Sequence, residues 1–388
     1  MESVERAHGP EDPDLAAILD ALGALREAQG NYPEAEALHR QAIAIKEKAF
    51  GPGSYKVARS IQSLAGLLWV QGKTEEAVSL WRRCLPLIEQ ALGPDHPTVA
   101  IILSDLALAY RAQGRLSEAE PLFLRALSIT ERGLAPTHPH VLAIKENLAS
   151  LRWSQGAFEQ SVPMFQEVVQ AREAALGRHH PSTLHAIANL GINYKDSGRL
   201  ADAIPLLEEA YRASTEVPSV AFAGPMLLDA YARGADAMGP QDVARAEELL
   251  RELIAVAHKR QPKESLSLAT DLAVLGASAL ALKAWNEAEQ PIREALAIRE
   301  AKVPDDWRTF SSRALLGGVM LGQGRLAEAE PLLLDGCKGM EDRESSIPAI
   351  GKARLTDTIE RIVQLYEAKG DQPTAAAWRQ RLAAIRRR

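Results

Sequence analysis

Residues 93–135 read GPDHPTVAIILSDLALAYRAQGRLSEAEPLFLRALSITERGLA, and this stretch predicts the fold of the chain. Its first half has apolar residues spaced for one face of a helix: Val99, Ile102, Leu103, Leu106, Ala107 and Tyr110. Its second half repeats the pattern with Ala119, Leu122, Phe123, Ala126, Leu127 and Thr130. Gly114 lies between the halves and suits the left-handed conformation in which many helices end. The stretch therefore predicts two amphipathic helices joined by a tight turn.

The same unit recurs along the chain with a period of 42 residues. The turn glycine returns at Gly30, Gly72, Gly114, Gly156 and Gly198. The small residue near the start of the second helix returns at Ala35, Ala77, Ala119, Ser161 and Ala203. Because one helix pair cannot bury its apolar face alone, this period predicts a solenoid of stacked helix pairs.

The residues after the turn resemble the tetratricopeptide repeat. Those that fall on the spacing of that family are Gly114, Leu116, Ala119, Phe123 and Ala126. The longer period, with GPDHP before the first helix and AQGRLSEAE at the turn, resembles the repeat of kinesin light chains and of many bacterial proteins. The resemblance implies an all-α fold, a right-handed superhelical solenoid of antiparallel helix pairs with about nine repeats.

The repeats divide the chain into regular and irregular parts. Residues 1–11 correspond to the end of a second helix and are expected to form a helical stub, which either follows a missing upstream repeat or domain or caps the array. Five regular copies follow over residues 12–216, which we number one to five. Later second helices are marked by Ala246, Ala288, Ala329 and Ala375, at steps of 43, 42, 41 and 46 residues. We therefore predict two irregular copies over residues 217–308, with a seam near 217–241, and two terminal copies over 309–388 that end in a capping helix.

The last fifth of the chain carries a second resemblance. From Asp305-Asp306-Trp307-Arg308 to Trp378-Arg379 it is similar to the terminal repeats of bacterial multidomain serine/threonine kinases. No kinase motif accompanies this similarity, since the sequence has no Gly-rich phosphate loop, no HRD and no DFG.

The composition indicates a folded chain without a membrane span or an export signal. Hydrophobic residues make up 46% and charged residues 25%, yet no apolar run approaches the ~18 residues of a membrane helix. The N-terminus lacks the charged-then-apolar pattern of a signal peptide, so we expect a cytoplasmic protein. A net charge of −6 argues against nucleic-acid binding. Cys84 and Cys337 lie in unrelated copies and are predicted to be buried free thiols.

No group of residues predicts catalysis, a metal or another cofactor. His96, His138 and His180 recur with the period, each before a proline, so we interpret them as part of the loop, one repeat apart and too distant to share a metal. The sequence also lacks HExxH, CxxC, GxSxG and a Walker loop. We therefore predict that the chain is not an enzyme.

Function is then expected on the concave surface that the first helices of the copies would line. The residues of this surface vary between copies, whereas the core residues stay the same. This variation indicates partner recognition, although solvent-exposed positions would vary in the same way. The candidate groove residues are Arg59, Gln62, Trp69, Asp105, Leu108, Arg111, Glu146, Asn147, Trp153, His185, Asn189 and Lys195.

Two pairs of these residues suggest specific roles. Trp69 and Trp153 share one repeat position, where they either anchor a partner or pack on neighbouring helices. The resemblance implies that Asn147 and Asn189 bind the backbone of an extended peptide, unless they join neighbouring helices instead. Gln62 and Gly66 stand where relatives that bind a C-terminal carboxylate have lysine and asparagine, so that clamp is not expected.

Three functions fit the sequence. The first is a non-catalytic scaffold or sensor that binds a peptide or protein segment in the groove. The alternative is a self-assembly or oligomerisation module of a larger bacterial signalling protein. The third, a nucleic-acid reader using Arg379, Arg381 and Arg386 to Arg388, is disfavoured because basic residues complement the dipole at the end of the last helix. We therefore predict a protein or peptide partner, and neither nucleic acid nor membrane.

Overall fold

The structure is a computed structural model that describes residues 12–386, except for the side chains of residues 349 and 350. The stub predicted at residues 1–11 and the last two arginines lie outside the described residues. Within residues 12–386 the regular structure consists of eighteen α-helices and four short 3-10 segments, with no strand. The helices follow one another as nine pairs, which confirms the all-α repeat array.

The chain divides into two compact units, Met1–Asn193 and Tyr194–Arg388. The first contains α1 (Pro13–Ala28), α2 (Tyr32–Phe50), α3 (Tyr55–Val70), α4 (Thr74–Leu92), α5 (Pro97–Ala112), α6 (Leu116–Gly133), α7 (Pro139–Ser154), α8 (Phe158–Leu176) and most of α9 (Pro181–Asp196). The second contains α10 (Leu200–Arg212), α11 (Ala223–Gly234), α12 (Pro240–Arg260), α13 (Leu266–Ala281), α14 (Trp285–Lys302), α15 (Trp307–Gly322), α16 (Leu326–Glu341), α17 (Ala349–Ala368) and α18 (Gln372–Arg386).

The first helix of each regular copy begins at a side chain that caps it. The Nδ1 atoms of His96, His138 and His180 each accept a hydrogen bond of 3.2 Å from the backbone N–H two residues later. Asp12 and Ser54 accept the corresponding bond at the start of α1 and α3. A cap satisfies an N–H group that has no partner inside the helix. This role explains why the histidines recur with the repeat.

Each regular helix pair turns at a glycine with positive φ. The angle is 74° at Gly114 and lies between 73° and 80° at the other four predicted turn glycines. Residues with a Cβ rarely adopt this conformation, so the turn favours glycine, although Lys283 makes it with a φ of 61°. Gly324 and Gly370, both with a φ of 76°, make the same turn in the second unit.

The chain between α10 and α12 departs from the regular pattern. Two 3-10 segments, Ala213–Thr215 and Pro218–Val220, replace the usual loop before α11, which has only 12 residues. A third segment, Ala235–Ala237, precedes α12. Val220 is fully buried, so this irregular connection contributes to the core of the second unit.

Small and apolar residues fill the interface between paired helices. Ala119 and Phe123 are fully buried in the core of the first unit, and the alanine lets α5 and α6 approach closely. Cys84 and Cys337 are buried free thiols, as predicted. Burial raises the pKa of both to about 12, which keeps them protonated and unreactive.

Candidate functional site

One pocket of the first unit collects half of the predicted groove residues. Its volume is about 570 Å³, and it lies between α5, α7 and α9 with one residue from α8. The lining residues are Arg111, Glu146, Asn147, Ser150, Trp153, Ser154, Phe165, His185, Asn189, Ile192 and Asn193. Six of these, Arg111, Glu146, Asn147, Trp153, His185 and Asn189, were predicted from the repeat register.

The remaining predicted residues lie elsewhere. Arg59 lines a different pocket of the first unit, of about 650 Å³. Gln62 is half-buried on α3, and Asp105 and Leu108 are half-buried on α5. Lys195 belongs to the second unit, where its ammonium group is buried against Asp229 at 2.5 Å and Asp196 at 2.9 Å.

Glu146 is the electrostatic centre of the pocket. Its Oε2 accepts a hydrogen bond of 2.7 Å from Nη2 of Arg172, and its Oε1 accepts one of 2.9 Å from Nδ2 of Asn189. Nδ1 of His185 lies 3.6 Å from the same Oε1. Burial by itself raises the pKa of Glu146, but His185, Arg172 and Asn189 together lower it below its ordinary value. The carboxylate is therefore ionised and fixed in place near neutral pH.

A second hydrogen-bonded layer supports Asn189 from below. Nδ2 of Asn193 donates to the backbone carbonyl of Asn189 at 3.0 Å, and Oγ of Ser161 donates to Oδ1 of Asn193 at 2.7 Å. Both Asn193 and Ser161 are buried. Sequence reasoning missed these residues and Arg172, although Ser161 replaces the alanine of the other regular copies at its repeat position. That departure is the signal that could have found this layer.

Two polar side chains of the pocket remain available for a ligand. Among residues 12–386, neither the Arg111 guanidinium nor the Asn147 carboxamide has a hydrogen-bond or ion-pair partner. Burial lowers the pKa of Arg111, since no nearby carboxylate stabilises its charge. Asn189, by contrast, already uses its amide on Glu146. The two predicted asparagines therefore differ: Asn189 organises the pocket and Asn147 is open to it.

The two tryptophans at the shared repeat position also differ. Trp153 lines the pocket with 37% of its surface exposed. Trp69 is half-buried and packs on the core of the first unit, its ring centroid 6.4 Å from that of Trp81. Trp153 can contact a ligand, whereas Trp69 mainly supports neighbouring helices.

The described part of the chain has neither a cluster of metal-binding side chains nor a helix suited to cross a membrane. Three or more His, Cys, Asp or Glu side chains nowhere come together in a way that could hold a metal ion. None of the helices described combines the length and the apolar character that crossing a membrane requires.

Comparison with known proteins places the repeats in a family. A family model described as Tetratricopeptide repeat matches residues 1–48, 57–132 and 140–216, more than half of the chain. No curated protein matches the sequence.

Similar solved structures include TPR-like repeats assigned to a kinesin light chain of Podosopora anserina, with 26% identity over 53% of this chain and 98% of theirs and a TM-score of 0.48. BtubC (BKLC) from P. vanneervenii shares 22% identity over 72% of this chain and 92% of its own, with a TM-score of 0.38. A tetratricopeptide repeat protein from Parabacteroides merdae ATCC 43184 shares 16% identity over 79% of this chain and 99% of its own, with a TM-score of 0.51. This last likeness supports the fold alone.

Proposed function

We propose that this chain, which belongs to the tetratricopeptide repeat family, is a non-catalytic scaffold whose first unit binds an extended peptide segment in the pocket between α5, α7 and α9. Members of this family generally serve as protein–protein interaction scaffolds, because stacked repeats present an extended surface. Half of the predicted groove residues line this one pocket, which supports it as the part of that surface that binds the peptide.

One observation carries the proposal: Asn147 and Arg111 present unused hydrogen-bonding groups to the same pocket. A carboxamide both donates and accepts, so Asn147 matches the C=O and N–H of a peptide backbone. The guanidinium of Arg111 matches an acidic side chain of the peptide, because it offers paired N–H donors to a carboxylate. The exposed ring of Trp153 offers an apolar surface beside them.

The network around Glu146 supports this function by holding the pocket in shape. Arg172, Asn189 and His185 approach its carboxylate from two other helices, and Asn193 fixes the backbone of Asn189. Groups that are already fixed lose little entropy when a ligand binds. The fixed network therefore keeps the walls of the pocket in place around Asn147 and Arg111.

The test begins with a phage-displayed library of random peptides selected on the purified chain. The best peptide is labelled with fluorescein, and its affinity for Asn147→Ala and Arg111→Gln is measured by fluorescence anisotropy. We expect each variant to bind about tenfold more weakly or worse, because each loses hydrogen bonds made in a desolvated pocket. Arg132→Gln is the matched control, since it removes the same charge from an exposed position of the first unit.

The outcomes separate the proposal from its alternative. Unchanged affinity in both variants, with the fold intact by circular dichroism, would overturn the assignment of the pocket. Failure to select any peptide, together with a concentration-dependent oligomer in light scattering, would instead support the self-assembly module.

A further inference from the structure

A second pocket, of about 460 Å³, lies within the second unit and contains none of the residues of the peptide site. It is lined by the C-terminal parts of α13 and α15, the middle of α17, and Trp285 at the start of α14. A pocket of this size holds a small organic molecule.

The pocket has an apolar floor because two glycines bring side chains directly onto the backbone of α15. A Cβ on Gly322 would lie 2.5 Å from the Trp285 ring, and a Cβ on Gly318 would lie 2.9 Å from Cδ of Arg361. Neither contact leaves room for a methyl group unless the facing side chain moves, so glycine lets Trp285 and Arg361 lie directly on α15. Leu280 and Leu321 extend the same floor. This surface suits the apolar body of a ligand.

The guanidinium of Arg361 faces this pocket without an acceptor. Among the residues that the structure describes, it makes no hydrogen bond and no ion pair. Burial lowers the pKa of Arg361, and the attraction of Asp357 on the same helix does not offset this effect. Desolvated N–H donors without acceptors cost free energy, and a carboxylate satisfies two of them in the geometry of the guanidinium.

The other charged groups of the pocket favour a ligand with a single negative charge. Lys283 donates a hydrogen bond of 2.8 Å to Asp236, so its exposed ammonium group already has an anionic partner. Asp357 and Glu360 also line the pocket, and Glu360 is paired with Arg386. Two carboxylates near Arg361 repel a dianion such as sulfate more strongly than a monoanion.

We propose that this pocket binds a small apolar monocarboxylate. The carboxylate pairs with the guanidinium of Arg361, and the apolar body lies on Trp285, Leu280 and Leu321. The site would make the second unit a sensor for a metabolite of this class, in addition to the peptide site of the first unit.

The experiment titrates para-fluorobenzoate into the full chain and follows its binding by fluorine NMR. The neutral para-fluorobenzamide has the same shape, and we expect it to bind about tenfold more weakly or worse because it lacks the charge that Arg361 requires. Equal binding of acid and amide, or no binding of the acid, would overturn the proposal. Displacement of the acid by an equal concentration of sulfate, which is a dianion at neutral pH, would overturn the preference for a monoanion.

Variants test the role of the arginine. Arg361→Met keeps the packed stem and removes the unpaired charge, so affinity for the acid should fall about tenfold or more while the melting temperature does not fall. Arg361→Lys keeps the charge but loses the paired donors and should give an intermediate affinity, which keeps the test valid if the methionine variant is unstable. Arg251→Gln removes an exposed arginine of the same unit and should bind as the unaltered chain does. Unchanged affinity in both Arg361 variants would refute the site.

Discussion

The first and fourth copies contain an ion pair at the same repeat positions, three periods apart. In copy one, Nζ of Lys46 lies 2.6 Å from Oδ2 of Asp20. In copy four, Nη2 of Arg172 lies 2.7 Å from Oε2 of Glu146. Each pair joins the first helix of its copy to the second, and each carboxylate borders a pocket.

The surroundings of the two pairs differ. Asp20 is held inside the fold by Ser60 at 2.5 Å and by the buried ring of His39 at 3.1 Å. The residue after it is Ala21, whereas Glu146 is followed by Asn147, whose amide is open to the pocket. The ion pair therefore joins the two helices in both copies, while the residue after the carboxylate decides whether the pocket beside it gains a carboxamide.

The largest expected effect comes from removing the cation of each pair. Arg172→Met should lower the free energy of unfolding by about 3 kcal/mol, because it leaves the buried Glu146 carboxylate without its charge partner. Lys46→Met should cost less, since the Asp20 side chain is more exposed than that of Glu146, at 22% against 14%, and keeps its bonds to Ser60 and His39. Urea unfolding followed by circular dichroism measures both. An equal or larger loss for Lys46→Met would contradict the comparison.

The two tryptophans at the shared repeat position should separate stability from binding. Trp69→Ala should lower the free energy of unfolding by about 2 kcal/mol, because its half-buried ring packs on the core beside Trp81. Trp153→Ala should cost less than half as much and should weaken the selected peptide instead. Thermal unfolding and anisotropy on the same samples measure the two effects. If Trp153→Ala instead lost more stability and Trp69→Ala bound the peptide more weakly, the peptide would contact Trp69 and not Trp153.

Asp105 lies one period before Asn147 and two before Asn189, so Asp105→Asn makes copy three match copies four and five. Burial raises the pKa of Asp105 from 3.8 to about 6, so in the folded state the ionised form is disfavoured. Below about pH 4 the Asp105 side chain is protonated in both the folded and the unfolded protein, and its contribution to stability is complete. This contribution is lost as the pH rises through about 6, because the buried carboxyl must then ionise in the folded protein. The asparagine should therefore stabilise the chain by about 1–2 kcal/mol at pH 8 and have little effect at pH 4. Melting temperatures at the two pH values test this, and an equal gain at both would exclude the titration of Asp105 as its cause.

The smallest expected effect concerns Ser161, where the other regular copies have alanine. Ser161→Ala should lower the free energy of unfolding by about 1 kcal/mol, because Oδ1 of the buried Asn193 loses its donor. The control is Ala203→Ser, which places a serine at the same repeat position of copy five. We expect it to form no stabilising bond like that from Ser161 to Asn193. A Ser161→Ala variant that is more stable than the unaltered chain would show that the bond from Ser161 to Asn193 does not stabilise the fold.

The fold could be predicted from the sequence because its determinants are local and repeated. A turn glycine with positive φ, such as Gly114, and a small residue such as Ala119 lie within one hairpin and recur every 42 residues. The repeat register also assigned Asn147 and Glu146 to the surface of the first helices. It could not predict that Lys195 pairs with Asp229, because that contact joins residues 34 positions apart in an irregular part of the chain.

The sequence by itself determined the repeat, the helix pairs and the set of positions from which a binding surface could be built, because periodic apolar and glycine positions act within one copy. Only the tertiary structure decided which polar groups on that surface are already bonded and which are open. Asn189 and Asn147 have the same residue type at the same repeat position, yet Glu146 occupies one amide and leaves the other available. The hydrogen-bond partner of such a side chain comes from a neighbouring helix, about one period away in the sequence. The partner therefore cannot be read from the residue type alone.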